Sequence, residues 1–213
     1  MAVQRPVQLS DAPSSNNINV LRECVIEGAR RAINRRKFDP LKKIRVAFID
    51  ADGNEEGSID NGGPTREFFR LLMQKVMEST CFEGPPDARE LALSTKAVDQ
   101  KEYKNVGAFI ALSIIHGGPG PVSMSECLFD ELTGTPAIPQ LDSISDDYVK
   151  NQLSRIKHAG NVDEARSAVV ESLDLLSILG TSRYIGSLDE RDQLVHDAVR
   201  FYRFGRLHSA IDQ

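Results

Sequence analysis

Most apolar positions of this chain recur at helical spacing, and only short runs alternate as a strand would. The stretch from Met1 to about Asn19 is polar and rich in Pro, Ser and Asn, so residues 1–19 read as a flexible lead-in. Leu21, Val25, Ala29 and Ile33 then make one apolar stripe, with Cys24 and Gly28 beside it and Asn17 or Asn19 as the cap. Arg30, Arg31, Arg35, Arg36 and Lys37 give this helix a basic end, where the helix dipole favours cations, and Asp39-Pro40 closes it. Ile44 to Ile49 alternates and is rich in β-formers. It predicts a strand that turns at Asp50–Asn54 and pairs back through Gly57–Ile59 as a small hairpin.

The rest of the chain is organised around Asn61-Gly62-Gly63-Pro64-Thr65-Arg66-Glu67-Phe68-Phe69. Two glycines point to backbone angles or close approaches that a side chain forbids. Pro64 suits the first turn of a helix, with Asp60 or Asn61 as cap and Glu67 near the positive end of the dipole. Phe68, Phe69, Leu71, Leu72, Val76 and Met77 carry that helix to about Glu78. A short strand is expected within Glu90–Leu93. Lys101–Ile115 then reads as a helix with Tyr103, Val106, Gly107, Ile110, Ala111 and Ile114 inward. Glycine inside a helix costs about 1 kcal/mol against alanine, so Gly107 predicts close packing on another element.

His116 reads as a hydrogen bonder at that helix's end, and Gly117-Gly118-Pro119-Gly120-Pro121 as a rigid turn. Ser123-Met124-Ser125-Glu126 has the form of a capping box before a helix that Gly134 ends. Ser143 or Ser145 caps a further helix with Tyr148, Val149, Gln152, Leu153 and Ile156 on one face. Asp163–Leu179 is amphipathic through Ala165, Ala168, Val169, Leu173 and Leu176, and Gly180 stops it. A second box, Ser187–Glu190, opens the last helix, with Leu194, Val195, Ala198, Phe201 and Tyr202. The expected class is α+β, mainly α, with a small β-hairpin and about six to eight helices.

Bulk properties narrow the chemistry. A chain of 213 residues is the size of one domain, or one with a small sub-lobe. A net charge of −5 gives no electrostatic reason to expect nucleic acid or an anionic membrane. No apolar run approaches the ~20 residues that span a bilayer, and the start of the chain lacks a signal-peptide core. The three cysteines, Cys24, Cys81 and Cys127, are far apart and fit free thiols of an intracellular protein, cytoplasmic or nuclear.

Three chemical readings fail on residue type. Asp50, Asp52 and Asn54 imitate a calcium loop, but Glu55 stands where glycine is required and Asn61 where a bidentate Glu is required. The glycine-proline run 117–121 lacks the Gly-Lys-Ser/Thr ending of a phosphate loop, and its prolines remove amide donors. A small-molecule enzyme would have to use Asp50, Asp52, Asp60, Arg66 and Glu67, which instead fit turns, caps and hydrogen bonds tying the helix start to the hairpin. No cofactor and no metal is expected.

Two stretches carry a family resemblance. Val46–Asp50, a turn, then Gly57 to Phe69 with Gly62-Gly63-Pro64 and Arg66-Glu67-Phe68-Phe69, resembles the start of a HECT domain, the ubiquitin-ligase module. Tyr103–Gly107, Ile110-Ala111 and Ile114–Gly117 are similar to that family's next long helix, which ends in His-Gly. The form of 117–121 looks most like the divergent G2/M-phase-specific ubiquitin ligase group. The resemblance covers about 21–213 and implies a HECT amino-terminal lobe over 20–213, with the catalytic carboxy-terminal lobe absent. The chain stops as if between modules. Such a lobe docks a ubiquitin-conjugating enzyme and meets ubiquitin only indirectly.

Thr80-Cys81-Phe82 matches the letters around the family's thioester cysteine but lies just after the Arg-Glu-Phe-Phe helix rather than in a carboxy-terminal lobe. Glu78 and Glu83 beside it would raise its pKa, so no catalytic residue is assigned. The docking sub-lobe corresponds to about 153–194, shorter and more helical than in well-studied members. Its exposed apolar candidates are Leu175, Ile178, Leu179, Tyr184 and Ile185. The alternative is a non-catalytic helical interaction module derived from the same fold.

Overall fold

The computed structural model describes residues 15–56 and 62–213. The chain divides into two compact units, one of residues 1–124 with Gln213, the other of residues 125–212. The observed class is α+β and mainly α. Ten α-helical segments and four short strands are present among the described residues.

The amino-terminal unit begins with a strand where a lead-in was expected. Asn16–Val20 (β1) buries Asn16, Ile18 and Val20 in alternation and pairs in parallel with Ile44–Phe48 (β2). A parallel pair needs a crossover, and it is made here through a short 3-10 turn (Arg22–Cys24) and the helix Val25–Ile33 (α1). Asn17 and Asn19 therefore lie in the strand and do not cap α1. Gly28 is where α1 meets β1: a Cβ there would lie 2.4 Å from Val20 Cγ2. After β2 the turn folds on itself, with Ile49 bridged antiparallel to Glu55. The expected return strand Gly57–Ile59 lies outside the described residues, as do Asp60 and Asn61.

Gly63–Met77 (α2) packs on β2, on α1 and on Glu102–Ile115 (α4). Between them Phe82–Glu83 (β3) pairs antiparallel with Glu90–Leu91 (β4), and Thr95–Asp99 (α3) is capped by Ser94. On α4 the buried side chains are Tyr103, Val106, Phe109, Leu112 and Ser113. The face is rotated from the expected one, because Phe109 turns inward while Ile114 is 58% exposed.

The carboxy-terminal unit contains Glu126–Thr133 (α5), Asp147–Lys157 (α6), Val162–Glu171 (α7), Leu173–Ile178 (α8), Leu188–Arg203 (α9) and His208–Ile211 (α10). Its core joins Val149, Leu153 and Ile156 of α6 to Ala165, Ala168 and Val169 of α7, Leu176 of α8, and Leu194, Val195, Ala198 and Val199 of α9. Ser125 Oγ caps α5 by accepting from Leu128 N at 3.0 Å, so the box at 123–126 is not the cap. Asp146, rather than Ser143 or Ser145, caps α6 through Val149 N at 3.1 Å. The box at 187–190 holds: Ser187 Oγ accepts from Glu190 N, and Glu190 accepts from Gly186 N. Asn161 and Glu164 repeat the arrangement at α7.

Candidate functional site

The elbow at 62–69 is built by one glycine. Gly62 has φ 100°, in the left-handed region, and acts as N-cap of α2 without a side-chain cap. Gly63 is exposed, and no atom of the described residues comes within 4 Å of where its Cβ would stand, so no crowding among them demands glycine there. Pro64 occupies the first turn as expected. Phe68 and Phe69 are both 1% exposed, with rings edge to face at 5.3 Å. Burying each is worth about 1.5–3 kcal/mol. His116 caps α4, stacks on Phe69 at 6.0 Å and 11°, and its Nε2 lies 3.0 Å from Pro40 O. Burial pushes its pKa below the ordinary imidazole value, against the smaller opposing effect of that hydrogen bond.

Other elbow residues sit differently from expectation. Glu67 lies beyond the first turn of α2, which holds no acidic residue. Its carboxylate accepts two hydrogen bonds from Arg70, at 2.9 and 3.0 Å, which hold its pKa down, and Arg22 adds a weaker pull at 3.6 Å. Arg66 is exposed. The tie to the strand turn is made by Arg22 instead. It lies 4.0 Å over the Phe48 ring and donates to Glu56 at 3.0 Å. No local motif marks Arg22, and the sequence reading did not single it out. Gly107 is exposed with open space around it, so it marks no close packing. The close approach near this helix falls instead at Gly118, where a Cβ would lie 2.6 Å from Ser113 Oγ and 2.7 Å from Phe69 Cβ.

Cys81 is 4% exposed and lines a cavity of about 270 Å³ with Arg30, Ser79, Gln100 and Glu102. Burial pushes its thiol pKa up and Glu102 pushes the same way. Ser79 and Arg30 oppose them. A thiol held protonated is a weak nucleophile. The cause is burial, not the Glu78 and Glu83 charges. Asp50, the first acid of the calcium-like loop, has its carboxylate occupied by the loop's own amides, at 3.0 Å from Asp52 N and 2.9 Å from Asn54 N.

The docking candidates divide. Leu175, Leu179 and Ile185 are 7%, 4% and 1% exposed and belong to the core of the carboxy-terminal unit. Ile178 and Tyr184 are 78% and 76% exposed. Along α7 and α8 the division follows helical spacing: Ala165, Ala168, Val169, Ser172, Leu175, Leu176 and Leu179 are buried at i, i+3 and i+4 steps, while Leu173, expected inward, and Ile178 fall on the other side. Ser172, between the two helices, is buried and donates to Gln152 Oε1 at 2.8 Å. Val170, which sequence reasoning missed, is exposed, and so is Leu173, which it placed inward. Val170 stands one turn from Arg166, whose guanidinium lies 4.7 Å over the Tyr184 ring while its Nε donates to Ile185 O at 2.9 Å. The spacing 166, 170, 173 was visible in the sequence; that Leu173 falls just off the buried face was not. Such an apolar edge on a folded helical layer has the chemistry of a protein-binding surface.

Among the described residues, no helix is long and apolar enough to cross a membrane. No family model matches the chain. It is 30% identical over 93% of its length to a G2/M phase-specific E3 ubiquitin-protein ligase of Gallus gallus, covering 27% of that protein. The protein of the same name from Homo sapiens is 32% identical over 85% of the chain, with 26% of that relative covered. A protein of Pongo abelii named "Probable E3 ubiquitin-protein ligase HECTD2" is 23% identical over 70% of the chain, with 21% of it covered. The chain thus spans roughly a quarter of the length of these relatives. Residues across both units enter these alignments, and the chain is homologous to E3 ubiquitin-protein ligases of the HECT type.

Proposed function

We propose that the chain serves as the amino-terminal lobe of a HECT-type ubiquitin-protein ligase inside the cell, docking a ubiquitin-conjugating enzyme while another lobe carries the thioester cysteine. The homology over 93% of the chain is the observation that carries this reading. The docking surface is the exposed set Val170, Leu173, Ile178 and Tyr184 with Arg166 beside it, on the α7–α8 layer and the segment that follows. It falls within the sub-lobe expected at 153–194, here part of the larger unit 125–212. Thioester chemistry needs an accessible thiolate, and Cys81, the one cysteine in a matching letter context, is buried and held protonated.

The test is to incubate the chain with activating enzyme, a panel of conjugating enzymes and ubiquitin, and to titrate each conjugating enzyme against it. Saturable binding without a thiol-reducible ubiquitin adduct is expected. An adduct on Cys81 overturns the division of labour, and absence of binding across the panel overturns docking. The burial of Leu175, Leu179 and Ile185 favours a second reading, a helical interaction module with no part in transfer, because it leaves a smaller apolar surface than the full candidate set.

A further inference from the structure

We infer that Tyr184 is a phosphoryl acceptor for a protein tyrosine kinase, and that its modification charges the edge of the docking surface. The second half rests on the docking reading above; the first does not.

Phosphoryl transfer demands that the acceptor oxygen enter an enclosed site in line with the leaving group. A tyrosine in a core or within a helix cannot do so without local unfolding. The chain has four tyrosines. Tyr103 is 6% exposed and its hydroxyl donates to Ala92 O. Tyr202 lies within α9, partly buried, with Arg206 at 3.9 Å over its ring. Tyr148 is exposed but sits in the first turn of α6. Tyr184 alone stands on an irregular segment, residues 181–186 between α8 and α9. That segment is pinned at both ends by buried side chains, Thr181 at 8% and Ile185 at 1%, so the exposed Ser182-Arg183-Tyr184 is presented and not free to wander. Gly186 lies beside the ring, its built Cβ 4.0 Å from Tyr184 Cε1, and adds no bulk of its own.

The product finds cations in place. Arg183 adjoins Tyr184, and the Arg166 guanidinium already lies over its ring. A phosphate there gains charge-assisted hydrogen bonds, with Asp163 and Asp197, the acids now paired to those arginines, as competitors. In the step, a bond forms between the Tyr184 phenolic oxygen and the γ-phosphorus of ATP. The β–γ bridging bond breaks, ADP leaves, and the phenolic proton passes to the kinase's base. The ring edge that offered apolar area then carries about two negative charges, which an apolar partner can bury only at a desolvation cost.

The experiment treats the full chain with a broad-specificity tyrosine kinase and ATP, and locates the phosphoryl group by fragment mass spectrometry. Tyr184 is expected to be modified first, ahead of Tyr148, with that signal lost in Tyr184→Phe, whose circular dichroism is unchanged. No incorporation, or incorporation at Tyr148 with Tyr184 left free, overturns the acceptor assignment. The phosphorylated chain is then titrated against the conjugating enzyme that binds the unmodified chain, where a Kd raised about tenfold or more is expected. Equal affinity overturns the switch. If the unmodified chain binds no conjugating enzyme, docking and switch both fall, and the acceptor assignment is still decided by the mass spectrum.

Discussion

Single residues decide how tightly the amino-terminal unit closes. Gly118 has no room for a methyl group between Ser113 and Phe69, whereas Gly107 faces open space. Gly118→Ala is therefore expected to cost about 1–3 kcal/mol by overpacking. Gly107→Ala is expected to gain about 1 kcal/mol from helix propensity. Urea unfolding of the two variants tests both signs. His116 adds a pH dependence. Its folded pKa is depressed by burial, so the unfolded chain takes up the proton first as pH falls. Its contribution is complete above about pH 6.5 and shrinks as pH drops from there toward the lower folded value. His116→Gln should flatten the stability profile through that window, and unchanged curvature would contradict the assignment. Phe68, Phe69 and His116 were legible because their spacing and chemistry are local. Arg22 and Gly118 were not, since each owes its role to a neighbour far along the chain, Glu56 in one case and Phe69 in the other.

Among the elements, helix starts and stops follow short-range rules with one recurring error of register. Gly117, Gly134 and Gly180 all take positive φ one or two residues past a helix, and in each case the next amide returns to a carbonyl five residues back: Gly118 to Ser113, Thr135 to Asp130, Thr181 to Leu176. Those three stops were readable from glycine alone. The start of α5 was misplaced by two residues because Ser123 and Ser125 both precede Glu126, and only the backbone decides which hydroxyl faces an orphan amide. Ser125→Ala should cost about 1 kcal/mol and Ser123→Ala almost nothing, as thermal melts of the pair will show. A long amphipathic stretch was expected over 163–179. The buried hydroxyl of Ser172, bonded to Gln152 on α6, interrupts it. The buried face nonetheless keeps its helical spacing through the junction, from Ala165 to Leu179, and Ile178 lies off it.

At the level of the whole molecule, a surface and a core can be told apart by paired substitutions. Leu175→Ala removes a core side chain and should cost about 2–5 kcal/mol. Ile178→Asp, on a side chain 78% exposed, should leave stability nearly unchanged while weakening any conjugating enzyme that binds. Denaturation and binding curves on the two proteins separate the roles. The parallel pair β1–β2 carries a further consequence for where the chain can be trimmed. β1 sits where composition alone suggested a dispensable leader. A version beginning at Leu21 would strip β2 of the ladder that satisfies its backbone and would uncover a raw sheet edge, an invitation to self-association. Size-exclusion chromatography should find that shortened protein in soluble aggregates, while one beginning at Ser15 elutes as the longer chain does. Strand β1 is thus a seam, and cutting inside it unravels the fabric it closes.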